Sequence, residues 1–546
     1  MSVVLDEPRQ DAQQAPSSGV RPRRKPAIDA PAVLALCLAV AALAGGLLVS
    51  TRVFERLPHV EDEVAFIFQA KTIASGHLLV EAPPQPDFFR APFIIFRNGH
   101  WYGKYLPGYP AVLALGALVD RVWLVNPLAG AGCVWLLFIF GRRIYSAQIA
   151  LLAAALLVSS PFFLLQAGSL MSHVVSLAWT LGFLLLFEAA RRANNFWLAG
   201  AAGLSLGMLF ITRPLTAVGV AVPFAAWALV DMLRERRRVP SYLAMAGCFL
   251  PFVALLLLYN NLTTGNPFKS AYELWWPFDK IGFGAGIGIT GHHDVAQGLR
   301  FTRMNVEMIA DYLYGWPLRL SLLPATIAAL TALLRLGAGA YRLGRARLAR
   351  RRQAAQALPA GTGWDIALLA MTLTLVTVHV AYPTPGQMYG PRYYFEALPA
   401  LTLLSARGII LLAGWLSAAG TLASRGNRQV AQGAASLAFI AVLLLSLHAA
   451  TNFSRETIRS YRGWNNVNDS GLRTVEAAEL ENAVVFVTVA KWNEYAPFFI
   501  ENTPQLDTNV IYAIDRGDAL NRRMLADFPG RQGWKFTGGK LTRMYQ

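Results

Sequence analysis

Apolar runs close to 20 residues long recur between residue 31 and residue 450. Each is long enough to cross a hydrocarbon layer of about 30 Å as a helix. Composition agrees: hydrophobic residues make up 55% of the 546-residue chain and charged residues 15%, against about 25% charge in soluble domains. The pattern predicts a polytopic α-helical membrane protein and excludes a string of soluble domains. The candidate spans are 31–50, 122–140, 146–165, 172–190, 196–211, 214–231, 241–260, 317–336, 364–381, 396–415 and 432–450, about eleven in all.

A formal charge of +17 raises the question of nucleic acid. The basic residues, however, fall in short runs between apolar segments: RPRRK at 21–25, GRR at 141–143, RR at 191–192, RERRR at 234–238, and a dense stretch from Arg342 to Arg352. This is the distribution that the positive-inside rule describes for cytoplasmic loops. No interleaved aromatic pattern or nucleic-acid module accompanies it, so no nucleic-acid partner is expected. Cys37, Cys133 and Cys248 all lie in apolar segments without metal-ligand spacing. Residues 1–30 are polar and lack a cleavage site after a short apolar core, which reads as a disordered basic cytoplasmic tail.

With that tail in the cytoplasm, alternation of the spans puts every strong basic cluster inside. Residues 107–120, PGYPAVLALGALVD, are apolar but short and open on two prolines. Counting them as a span would reverse all later clusters, so they read as a juxtamembrane or re-entrant helix on the outer face. The loops 51–121, 261–316 and 382–395 and the tail 451–546 then share the outer side. The tail carries short β-branched runs, AVVFVTVA at 483–490 and NVIYAI at 509–514, and a hairpin pattern around Gly538 and Gly539. It reads as a small extracytoplasmic α/β domain following a transmembrane domain at 31–450.

The outer segments also hold the unusual polar residues. Asp62 and Glu63 follow the first span, at the start of a run whose apolar residues (Val64, Phe66, Ile67, Ala70, Ile73) suit an amphipathic helix along the interface. Acids at a helix start are also ordinary dipole partners. In NGHWYGKYLPGYP (98–110), Lys104 is set among Tyr102, Tyr105 and Tyr109, either as an interfacial anchor or as a cation for a phosphate. His173 begins a span in SLMSHVVSL, and Arg213 joins two spans in ITRPLTA. Ionisable residues at membrane depth tend to face an internal cavity. His292, His293 and Asp294 offer substrate contacts, loop structure or, less readily, metal ligation. In MYGPRYYFEALPA (388–400), Arg392 has a planar guanidinium suited to phosphate or carboxylate. The alternative there is an i, i+4 pair with Glu396, with Tyr393 and Tyr394 between them. The glycines of GFGAGIGITG lack the strand–turn–helix context and the Lys-Ser/Thr pair of a nucleotide loop.

Taken in order, the DE pair, KYLPGYP, SLMSH, TRPLTA, YNNLTTGNPF and GPRYYFEALP resemble the GT-C superfamily of membrane glycosyltransferases. The branch they are most similar to is the bacterial protein O-mannosyltransferase-like group, which includes aminoarabinose transferases of lipid A. The similarity covers about residues 30–450, and the PGR…LTRMY ending also looks like bacterial members. The resemblance implies a GT-C fold in an inner membrane and a polyprenyl-phosphate-linked sugar as donor. It implies inverting transfer to an acceptor hydroxyl on the outer face. It makes Asp62 the general base; Lys104 and Arg392, both at the headgroup level on the outer side, are then the candidate cations for the leaving phosphate, and Glu63, His173, Arg213, His293 and Tyr393 would shape the sugar and acceptor pockets. It requires no cofactor; some members of the superfamily use a divalent metal. The acceptor, whether lipid, glycan or protein, is not legible. A transporter or flippase for lipid-linked sugars would use the same outer cations without chemistry. Such proteins often show internal repeats and broken helices near the bilayer midplane; this sequence shows no clear repeat, and its polar residues gather at the outer face instead.

Overall fold

The computed structural model describes residues 29–348 and 361–544. The expected basic tail, apart from its last two residues, and residues 349–352 of the basic stretch lie outside the described residues. Among the described residues, nine helices are long and apolar enough to cross a membrane, from Ala30–Arg52 to Arg428–Asn466. Two further expected spans take different forms. Phe196–Thr212 is a shorter apolar helix, and the expected span 146–165 is a broken pair, Ala147–Ser159 and Pro161–Gly168, bent by 65°. The break is local chemistry. Ser160 precedes a proline, which pushes its backbone out of the helical region, and it adopts φ −73°, ψ 117°. Its Oγ then accepts from the Phe163 amide at 3.3 Å and starts a new helix with proline in the first turn. Residues 108–117 form a ten-residue helix, too short to span, as the charge pattern requires.

The helices pack closely where side chains are smallest. A Cβ on Gly203 would stand 2.1 Å from the Met245 carbonyl oxygen, so that glycine lets Phe196–Thr212 lie directly against Val239–Thr264. The basic clusters at 141–143, 191–192 and 234–238 gather at one end of the bundle, where several of their arginines are ion-paired. Arg143 and Arg192 reach Glu188 at 2.6 and 2.7 Å, and Arg191 reaches Asp231 at 2.6 Å. His173 and Arg191 cap opposite ends of one helix, roughly 27 Å apart at 1.5 Å per residue. The polar residues of the candidate site therefore occupy the end away from the basic clusters.

At that end the first outer loop folds as the helix Glu61–Ala74 and a three-stranded sheet with His100–Gly103 in the middle, between Val80–Glu81 and Ile94–Arg97. The helix is not the interfacial one expected. Its buried residues run from Glu63 through Ala70, because the tail packs on the face that the bilayer was expected to cover. The tail is a four-stranded sheet. Ala483–Val487 lies centrally, parallel to Val510–Ile514 on one side and to Gln532–Thr537 on the other, and Lys540–Arg543 closes the edge. Gly538 (φ 56°) and Gly539 (φ 77°) supply the two left-handed residues that the final two-residue hairpin needs. Tail and loop share one core: Phe499 stacks on Phe68 at 5.9 Å and meets Trp101 edge-on at 6.4 Å. Lys71 donates to the carbonyls of Ile500 and Asn502, and Asn465 donates to the His59 carbonyl at 2.8 Å.

Candidate active site

Between the bundle, the first outer loop and the tail lies a cavity of about 1400 Å³. Asp62, Lys104, His173, Arg213, Arg392 and Tyr393 all line it, and Lys491 and Trp492 of the tail contribute from above. Six of the eight residues expected at a site are thus brought together from five separate stretches of sequence.

Asp62 is the second residue of the helix Glu61–Ala74. Its Oδ1 accepts from the Tyr105 hydroxyl at 2.7 Å and lies 3.6 Å from Arg392 Nη1. Burial pushes its carboxyl up, but the charges of Arg392 and Lys104 and the Tyr105 bond outweigh that and hold it below the ordinary value of 3.8. The group is therefore an anion at neutral pH.

Lys104 follows the central strand of the first-loop sheet, where its amide donates to the Phe93 carbonyl at 2.9 Å. Its ammonium lies 3.5 Å from the Phe93 ring centroid, with Trp276, Tyr272 and Tyr105 at 4.7, 5.1 and 5.2 Å. Asp279 of the second outer loop stands 3.7 Å away. Burial lowers the lysine pKa, opposed by Asp62 and Asp279, while burial raises that of Asp279. Arg392 lies at the mouth of its helix with a side chain 12% exposed, and its Nε and Nη1 have no hydrogen-bond acceptor. Donors so placed are costly unless something accepts from them.

Arg392 does not pair with Glu396 one turn along. Glu396 is fully buried and lies 3.3 Å from Arg213 Nε instead. Arg213 sits in the break between Phe196–Thr212 and Pro214–Arg234, and its Nη1 is 2.9 Å from His173 Nε2. The Tyr393 ring lies between the two guanidinium groups, 5.7 Å from Arg213 and 5.4 Å from Arg392. The i, i+4 reading fails because the loop 382–395 turns Arg392 toward the first outer loop.

Glu63 and His293 do not face the cavity. Glu63 is 1% exposed, and it accepts from the amides of His59 at 2.7 Å and Leu170 at 2.9 Å and from the Tyr389 hydroxyl at 3.3 Å. With Asn126, which donates to the carbonyls of Ser169 and Met171 at 2.7 Å each, it satisfies the backbone of the turn that launches His173. His293 is buried, bonds the Val380 carbonyl at 3.0 Å and stacks on Phe283 at 5.4 Å, so it anchors the second outer loop. Asp294 caps the next helix by accepting from the Gln297 amide at 2.7 Å. Among the described residues no group of three or more His, Cys, Asp or Glu is placed to hold a metal ion.

Cavity residues that escaped the sequence analysis include Glu61, Tyr105 as a partner of Asp62, and Asp279. The signal for Asp279 was an Asp-Lys pair inside a Trp-rich loop. Glu61 was visible as the first of three consecutive acids in EDE.

The helical membrane bundle with its first-loop helices and small α/β cap is the GT-C fold. It is shared with the crystal structure of ArnT from Cupriavidus metallidurans bound to undecaprenyl phosphate, at a TM-score of 0.51 and 13% identity over 92% of each chain. The apo state of the same protein gives 0.49 at 13% identity, again over 92% of each chain. The apo oligosaccharyltransferase of Archaeoglobus fulgidus gives 0.44 at 12% identity, over 88% of this chain and 64% of that one. No family model matches the sequence, and no curated protein matches it.

Proposed function

We propose that the chain is an inverting glycosyltransferase. It moves a sugar from a polyprenyl-phosphate donor to an acceptor hydroxyl at the extracytoplasmic face of an inner membrane. The observation that carries this reading is an ionised carboxylate, Asp62, set beside two cations, Lys104 and Arg392, in one aromatic-lined cavity. That set has one part for each end of the reaction. Asp62 takes the proton of the acceptor hydroxyl as its oxygen bonds to the anomeric carbon. The bond from that carbon to the phosphate oxygen breaks, and its electron pair stays on the phosphate, where Lys104 and the unpaired donors of Arg392 stabilise the growing charge. A donor phosphate also loosens the hold of both cations on Asp62, which makes the carboxylate a better base when the donor is in place.

The location suits a lipid donor. The cavity opens at the end of the bundle opposite the basic clusters, and those clusters belong in the cytoplasm by the positive-inside rule. The undecaprenyl phosphate in the ArnT crystal supports a polyprenyl phosphate as the lipid class. Tyr393, Trp276 and Tyr272 offer faces for a sugar ring. The tail domain closes over the cavity with Lys491 and Trp492.

The test is transfer in detergent or proteoliposomes from a panel of polyprenyl-phosphate sugars, with wild type beside Asp62→Asn. Transfer by wild type and its loss in the variant are expected. Equal rates would remove Asp62 as the base. Movement of labelled lipid across vesicles without transfer would establish the flippase reading instead.

A further inference from the structure

Tyr105 lies full length along one face of the helix that bears Asp62. Residues 62, 66 and 69 of that helix fall on one stripe, at i, i+4 and i+7. The tyrosine meets all three in turn. Its hydroxyl donates to Asp62 Oδ1 at 2.7 Å, its ring packs on Phe66 at 4.3 Å, and its carbonyl oxygen accepts from Gln69 Nε2 at 2.7 Å. Tyr259 donates to the same carbonyl at 3.0 Å. Phe93 and Tyr272 meet the ring edge-on at 5.9 and 5.3 Å. The ring therefore has no room to swing, and the hydroxyl is a fixed donor. On Asp62 both close contacts, Tyr105 and Arg392, fall on Oδ1. Among the described residues no side chain donates a hydrogen bond to Oδ2.

We propose that Tyr105 is the positioning residue of the proposed transfer: it pins Oδ1 of Asp62 so that Oδ2 alone receives the acceptor's proton. The inference rests on the glycosyltransferase reading. In the step, the acceptor O–H bond breaks toward Oδ2, the acceptor oxygen bonds to the anomeric carbon, and the sugar–phosphate bond yields its electrons to the departing lipid phosphate. The fixed tyrosine keeps the carboxylate from turning its oxygens or drifting toward Arg392. It also stabilises the anion, so its hydroxyl sets the pH below which the base is lost.

The experiment is Tyr105→Phe in the full chain, which keeps the ring among Phe66, Phe93 and Tyr272 and removes one oxygen. The turnover number should fall about tenfold or more, the usual worth of a hydrogen bond to a charged group, with donor KM nearly unchanged. The acid limb of the kcat profile should move to higher pH, because the lost bond had favoured the ionised carboxylate. A purely structural tyrosine would move neither the limb nor kcat relative to KM, and either result overturns the proposal. Tyr105→Phe is then placed on Asp62→Asn: the second change should cost little in the absence of the carboxylate it positions, and full additivity also overturns the proposal. Thermal unfolding of each variant in detergent checks that a loss of rate is not a loss of fold. Failure of the broader reading looks different, since wild type would then transfer no sugar or Asp62→Asn would transfer it normally.

Discussion

Lys104 Nζ stands 3.7 Å from Asp279 Oδ2, so a cation facing the cavity is already held by a carboxylate of the second outer loop. A donor phosphate must share that lysine or displace the aspartate. Replacing Asp279 by Asn removes the competitor, and polyprenyl phosphate should bind about threefold to tenfold more tightly, in the range of a partly screened ion pair. Titration followed by fluorescence of the neighbouring Trp276 measures this. Weaker binding would mean that Asp279 belongs to the donor's own site.

Arg392 presents Nε and Nη1 without acceptors while lying 3.6 Å from Asp62. A lysine there keeps the charge but loses the planar fork. Arg392→Lys should therefore cost about a hundredfold in kcat, comparable to the loss of a fixed donor at a developing anion. Steady-state transfer rates test this, and a variant within twofold of wild type would remove Arg392 from the leaving-group side.

Glu63 predicts a pH effect on stability rather than on chemistry. Burial raises its pKa from 4.5 to about 7, against the pull of the His59 and Leu170 amides. The folded protein then holds a proton that the unfolded chain releases above its own lower pKa, so this group's contribution falls as pH rises from about 4.5 to about 7. Glu63→Gln lacks that slope. The melting temperature of wild type relative to the variant should decline across this window and level off above it, while donor KM stays unchanged.

Apolar length was legible because hydrocarbon thickness sets it: nine of the eleven expected spans, the short 108–117 helix and the tail strands emerge where the pattern put them. The bend at Ser160 was written in a Ser-Ser-Pro sequence, yet an apolar window averages over it. Charge partners were not legible. Arg392 has an acid one turn away and binds another in a remote loop, and only the path of the loop 382–395 decides between them. Glu63 looked like part of a working pair with Asp62. Adjacent helix residues point about 100° apart, and one reached the cavity while the other reached the backbone of a turn.

Arg213 and Glu396 offer a test of that buried network. Removing either partner leaves an unpaired charge, and Arg213→Ala should cost about 3–5 kcal/mol. The double variant Arg213→Leu/Glu396→Leu should recover much of the loss, since a packed apolar pair avoids the stranded charge. Thermal melting of the three proteins gives the coupling directly, and strict additivity would show that the two do not act as a pair.

Topology yields the last prediction. His100 and Arg237 are both exposed, one on the first-loop sheet and one in the RERRR cluster. Single cysteines at these positions, in a background without Cys37, Cys133 and Cys248, should react with an impermeant thiol reagent from opposite sides of the membrane. Labelling from one side would break the threading of the chain.

The seam between the first outer loop and the tail has a consequence in time. Lys71, made early, finds its carbonyl partners at Ile500 and Asn502, near the end of the chain, and Phe68 finds Phe499 there. A ribosome delivers these partners only after the last spanning helix, Arg428–Asn466, has been made. The helix carrying Asp62 must therefore wait, half-covered, through the insertion of every later span. Maturation of the site is then a post-insertion event, and a nascent chain stalled before residue 500 would sit in the membrane with its helices threaded and its chemistry not yet assembled.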